Sequence, residues 1–145
     1  MLDQGGEEFT YLDLLSTVTC AVFLTIGSGS DLKSREVSNK LWVVFLPMSV
    51  ALTIIRLCVS PSLLPLCATS IALSSAVAFL VFHIGFFGGA DAKALITLAV
   101  AQPLSPDVLN PMLGYLHPFF PITVFMNSFF VAGLTVAYVA TRNLV

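Results

Sequence analysis

Apolar residues fall in four long runs, 11–27, 41–59, 63–87 and 119–140, divided by short segments that collect the Gly, Ser, Pro and charged positions. A helix crosses a hydrocarbon layer of ~30 Å in about 17 to 25 residues, so each run predicts one membrane-spanning helix. Between the third and fourth runs, "DAKALITLAVAQ" (91–102) has helical composition but stops at Pro103. At ~1.5 Å per residue it reaches roughly 18 Å, which predicts a short or partly spanning helix. The stretch "PLSPDVLNPMLGYLHPFFP" holds Pro103, Pro106, Pro111, Pro118 and Pro121. It predicts an irregular external loop with Tyr115 and His117 at headgroup level, and Pro121 suits the first turn of the last helix. The pattern gives an all-α, polytopic transmembrane bundle of about five helices in a single domain, 1–145, with no repeat or low-complexity tract.

Composition removes the soluble alternative. Hydrophobic residues make up 57% of the 145 positions and charged residues 10%, with a mean hydropathy of +0.97. Soluble domains carry about 25% charged residues, and so few charges cannot build a polar shell. Lipid is therefore the expected surroundings. The six Lys and Arg are scattered and form no stripe for nucleic acid. Cys20, Cys58 and Cys67 lie in or beside apolar runs, with no CxxC pair and no His at metal spacing, so they read as small hydrophobes and no metal or cofactor is expected.

The N-terminus carries Asp3, Glu7, Glu8 and Asp13 and no basic residue. A cleavable secretory signal begins with a basic region, so the first run reads as a retained helix. Lys33, Arg35 and Lys40 follow that run, and Lys93 and Arg142 return to the same side after the third and fifth helices. The positive-inside rule places that side in the cytoplasm and the N-terminus outside, in the cell membrane. Arg56, near the outer end of the second helix, departs from the pattern and is expected to extend its side chain to the headgroups.

Two aspartates stand out. Asp31 follows the first run in "GSGSDLKSREVSNKLW", and Asp91 opens the short fourth helix in "GFFGGADAKAL". The topology brings both to the cytoplasmic end at similar depth. Facing carboxylates tend to share one proton, so that one takes a proton from water while the other polarises a peptide carbonyl. The residues by themselves leave three readings open: helix capping beside basic side chains, aspartic-protease chemistry, and an ion or proton pathway. The second and third apolar runs carry no carboxylate and the outer half is apolar, which disfavours a pathway. Gly85, Gly88 and Gly89 allow close helix approach or an open helix end.

The two motifs carry a resemblance. "SDLKSREVSNKLW" resembles the first aspartate motif of the archaeal preflagellin and prepilin peptidases, and "GGADAKAL" resembles their second, a variant of the GxGD signature. Order and separation agree, as does "FFPITVFMNSFF", which is similar to the start of the family's fifth helix. The resemblance covers most of the chain. It implies a GxGD-type aspartic membrane endopeptidase that removes the class III signal peptide of prepilin- or preflagellin-like precursors at the cytoplasmic face. Asp31 and Asp91 would be the catalytic pair, with Lys33, Arg35, Asn39, Gly88, Gly89 and Lys93 binding substrate or shaping the site. Glu36 would meet the basic leader. Anchoring of the three basic residues and capping of the second helix by Asn39 stand beside those roles.

The chain departs from the family in two places. Ala90 replaces the second glycine of GxGD, and the sequence stops at "ATRNLV", where relatives continue into a cytoplasmic segment and a sixth helix. A fragment, a reduced member or a catalytically inactive homologue acting as an assembly factor are the readings this leaves. Presenilin-type proteases place the first aspartate mid-helix after Tyr, whereas Ser30 precedes Asp31 in the loop-like "GSGS". Of the remaining polar residues, His83 reads as hydrogen-bonded packing, Trp42 and Tyr138 as interface markers, and Ser74, Ser75 and Asn127 as helix-to-helix hydrogen bonders. Oligomeric state and the particular precursor are not legible.

Overall fold

Small and polar side chains occupy the interior while large apolar ones face outward. Ser16, Ser49, Ser70, Ser74, Thr53, Thr97 and Gln102 are buried, whereas Val43, Phe79, Val131 and Leu134 are exposed. Small interior residues let helix backbones approach, and large apolar residues outside suit a lipid surrounding. The computed structural model describes residues 4–106 and 118–143, with side chains from residue 10 onward. The loop positions Tyr115 and His117 lie outside the described residues.

Five helices are observed: α1 (Gln4–Ser34), α2 (Asn39–Val59), α3 (Leu64–His83), α4 (Gly89–Ala101) and α5 (Phe120–Asn143). All but α4 are long and apolar enough to cross a membrane. With the inverted burial, this marks a multi-pass membrane protein. The expected number of helices and the short fourth one are both observed. An isolated antiparallel bridge, Leu104 to Phe119, is the only extended pairing among the described residues.

The first helix corrects the sequence reading. Gly27, Ser28, Gly29 and Ser30 are helical, and α1 continues through Asp31 to Ser34. Glycine costs about 1 kcal/mol against alanine inside a helix, a small penalty that the continuing backbone hydrogen bonds of a long helix outweigh. It ends at Arg35, whose φ of 54° is left-handed, and the Arg35 N–H donates to the Asp31 carbonyl at 2.7 Å. The Ser30 and Ser34 hydroxyls donate to the Glu36 carbonyl at 2.9 and 3.0 Å, folding the chain back toward α2. Ser38, not Asn39, caps α2 by accepting from the Lys40 N–H at 3.3 Å.

Helix α3 ends before the apolar run does. Gly85 takes φ 86°, a conformation that favours glycine, and the Phe86 N–H donates back to the Val81 carbonyl at 3.1 Å. Pro121 sits in the first turn of α5, as expected, and is buried. The core lies mid-bundle: Cys20, Phe45, Leu98 and Ala101, with Phe23 stacked on Phe45 at 3.7 Å between ring centroids.

Arg56 does not extend to the headgroups. It is 1% exposed and makes an ion pair with Asp13 of α1 at 2.5 Å. Its Nη2 also donates to Gln102 Oε1 at 3.0 Å, and Gln102 Nε2 donates to the Leu104 carbonyl at 3.0 Å. The half of the bundle away from the aspartates, expected to be apolar, is thus not uniformly so. A guanidinium in a low-dielectric interior must be matched by a carboxylate and hydrogen bonds, and α1 and the end of α4 supply both.

Other polar residues also depart from expectation. Ser74 Oγ is buried with no hydrogen-bond partner among the described residues. Ser75 and Asn127 make no helix-to-helix bond among the described residues. Thr53 of α2 donates instead to the Val100 carbonyl of α4, and Ser70 of α3 donates to the Pro103 carbonyl just past α4 at 2.5 Å. His83 stacks on Phe79 at 6.1 Å. Cys20 and Cys67 are buried, but Cys58 is exposed, and all three are free.

Removing one partner of a buried pair is expected to cost about 3–5 kcal/mol, while an apolar replacement of both is near neutral. Arg56→Met should therefore lower unfolding stability in mixed-micelle denaturation by that amount. Arg56→Met combined with Asp13→Leu should recover most of the loss.

Candidate active site

Helical phase brings the two aspartates to one cavity. On α1, Leu24, Gly27 and Ser28 precede Asp31 by seven, four and three positions and share its face; on α4, Ala94 follows Asp91 by three. All of these line a cavity of about 210 Å³, together with Phe23, Val37, Trp42 and Ala90. Both carboxylates are exposed, so they meet water at the end of an otherwise apolar bundle. No hydrogen bond joins Asp31 to Asp91 among the described residues.

Asp91 is held by its helix. It stands in the first turn of α4, and its Oδ2 accepts from the Gly88 N–H at 3.2 Å. The capping role and a place in the cavity therefore coexist in one residue. The N-terminal end of α4 also favours a negative charge there. Gly88 has a steric reason to be glycine, since an added Cβ would lie 3.3 Å from Asp91 Oδ2. Gly89 has none of that kind, because its Cβ would meet only Phe82 at 3.9 Å.

Other expected site residues are placed around the cavity rather than in it. Lys93 Nζ donates to Asn39 Oδ1 at 2.8 Å, which ties the first turn of α4 to the start of α2. Lys93 forms no ion pair with either aspartate among the described residues. Lys33, Arg35 and Glu36 are exposed on the reversal after α1, and none of them lines the cavity. Trp42, expected at a membrane interface, is half-buried in the cavity wall, and its Nε1 has no hydrogen-bond partner among the described residues. Among the described residues, no cluster of His, Cys, Asp and Glu is arranged to hold a metal ion.

Phe23, Leu24, Gly27, Ser28, Trp42 and Ala94 were not singled out as cavity residues by the sequence reading. For those on α1, the signal was present as i−3, i−4, i−7 and i−8 spacing from Asp31, but it carries meaning only once Asp31 is helical.

A second, larger cavity of about 600 Å³ adjoins the first and shares Leu24, Asp91 and Ala94 with it. Its remaining walls are almost wholly apolar, from Val81, Phe86, Phe87, Leu95, Leu98 and the α5 residues Val124, Phe125 and Phe129. A chamber holding two carboxylates thus opens beside an apolar trough.

The family model of the type IV leader peptidase family matches residues 18–137, which include both aspartates and all of the cavity walls. The chain belongs to the type IV leader peptidase family. Its relatives include proteins named preflagellin peptidase. That of Methanocaldococcus jannaschii is 28% identical over 144 residues, covering 91% of this chain and 59% of the relative. That of Methanococcus voltae is 26% identical over 131 residues, covering 83% and 54%. That of Methanococcus maripaludis is 28% identical over 143 residues, covering 90% and 60%. The chain thus spans little more than half the length of these relatives. No solved structure matches it. Within the chain, the matched residues run from the middle of α1 to near the end of α5.

The glycine geometry gives a test of the site itself. Gly88→Ala should displace the Asp91 carboxylate and Gly89→Ala should not, read as a change in the Asp91 side-chain carboxyl ¹³C shift in reconstituted protein. Equal shifts from the two substitutions would contradict the steric account.

Proposed function

We propose that Asp31 and Asp91 are the catalytic pair of an aspartic endopeptidase that removes the leader of prepilin- or preflagellin-like precursors. The observation that carries the reading is that two carboxylates from separate helices line one cavity in a chain of this family. The names of the preflagellin peptidase relatives support the choice of substrate. The basic residues near the aspartate end support a cell-membrane protein with that end in the cytoplasm and the N-terminus outside.

The chemistry needs one water between the carboxylates. At ~30 Å³ per water, a cavity of about 210 Å³ holds that water and a peptide group. One carboxylate takes a proton from the water as its oxygen bonds to the scissile carbonyl carbon. The other, carrying a proton, polarises the carbonyl oxygen. The C–N bond then breaks, and a proton passes to the leaving amine. The apolar trough beside Asp91 suits a hydrophobic stretch of precursor next to the cut. Lys93, bonded to Asn39, acts on the position of α4, while Lys33 and Arg35 act as anchors at the headgroups. Gly88 leaves room for the Asp91 carboxylate.

Asp31→Asn and Asp91→Asn are each expected to lower leader removal by about 10²–10⁴-fold in cells co-expressing a precursor, with insertion unchanged. The double substitution should cost little more than either alone, because the pair acts as a unit. Near-wild-type processing by either single variant would remove the assignment.

A further inference from the structure

The aspartates sit at one end of the bundle, and the buried Asp13, Arg56 and Gln102 cluster sits at the other. The two sites share helices. Asp13 and Asp31 are 18 positions apart on α1, which is ~5.0 turns, so their side chains leave the helix on the same face. Asp91 and Gln102, the residue that closes α4, are 11 positions apart, or ~3 turns, and also share a face. Arg56 joins the far ends of those two faces: its Nη2 lies 2.5 Å from Asp13 Oδ1 and 3.0 Å from Gln102 Oε1. A further contact, Gln102 Nε2 to Asp13 Oδ1 at 3.4 Å, links α1 to the end of α4 directly.

We propose that Arg56 is a positioning residue for the aspartate pair: by gripping Asp13 and Gln102 together, it fixes the rotational phase at which α1 and α4 present Asp31 and Asp91 to one cavity. The inference rests on the peptidase reading for its effect on rate, but not for its effect on geometry. Rotation of either helix by one residue, ~100°, would turn its aspartate out of the cavity. The buried face of α4 sets Leu95, Thr97 and Leu98 beside the small Ala92, Ala99 and Ala101, a surface that fills space without fixing one polar direction. A guanidinium held by a carboxylate and an amide has a defined direction, which apolar packing lacks.

The test uses the full chain in lipid nanodiscs, with the native cysteines replaced and a pair introduced by Ser28→Cys and Ala90→Cys, on opposite walls of the aspartate cavity. Cross-linking by a short bis-maleimide reports helix phase without any need for activity. Cleavage kinetics are measured in parallel, with Asp31 and Asp91 intact. Arg56→Met with Asp13→Leu, which keeps the interior packed and apolar, should insert normally, lose cross-linking several-fold, and lower kcat by about 100-fold with KM little changed. Asp13→Arg with Arg56→Asp, which restores the pair in reverse, should recover both readouts.

Gln102→Met provides a second arm in which the ion pair stays intact. It should weaken cross-linking and kcat in the same direction. Unchanged cross-linking and kcat in well-inserted Arg56→Met/Asp13→Leu or in Gln102→Met would overturn the positioning role and leave Arg56 as a purely stabilising residue. Should Asp31→Asn retain cleavage, the peptidase reading falls, while the cross-linking result still decides the positioning claim.

Discussion

A buried arginine dictates much of this bundle. Arg56 is enclosed by helices in an apolar interior, where a lone guanidinium would be very costly, so the fold must bring a carboxylate and further acceptors to it. Asp13 and Gln102 meet that demand from two other helices, and Gln102 passes the restraint on to the loop through the Leu104 carbonyl. The same cluster fixes where α1 and the end of α4 lie relative to α2. Everything at the opposite end is built on helices already tied at this one.

The two ends differ in physical character. The Arg56 end is dry and closed by charge-assisted hydrogen bonds, whereas the aspartate end is open to water and held by lighter restraints. Those restraints are the Lys93 bond to Asn39, the Asp91 bond to the Gly88 N–H, and the left-handed turn at Arg35. On the proposed reading this division is useful: a rigid end sets geometry, and an open end admits water and a peptide. The apolar trough between α3, α4 and α5 meets the two-carboxylate chamber at Asp91, so one carboxylate lines both.

The apolar runs made most of the fold legible, because helices that meet lipid are marked by length and composition rather than by subtle periodicity. The short α4 and Pro121 at the start of α5 were legible for the same reason. Asp31 was read as a loop residue since Gly and Ser usually punctuate helices, yet residues 27–30 stay helical and the turn comes only at Arg35. Arg56 was misread because its partners lie 43 and 46 positions away, and no local spacing encodes such a match. Ser74 and Asn127 show the converse: a polar residue in a helix need not find a partner across it. The association of Asn39 with Lys93 as neighbours of the site came from motif resemblance, and their bond supplies the physical content.

The central claim is that Asp31 and Asp91 act together on one tetrahedral intermediate. It is tested most directly by the affinity of a leader peptide whose scissile amide is replaced by a hydroxyethylene isostere. Transition-state mimics of this kind bind at least ~10²-fold more tightly than the substrate they resemble. The account predicts that the isostere displaces a labelled leader peptide from the wild-type chain at far lower concentration than the amide does, and that Asp31→Asn or Asp91→Asn each removes this advantage. Equal affinities for isostere and amide in the wild-type chain, or an advantage that survives loss of either carboxylate, would contradict it.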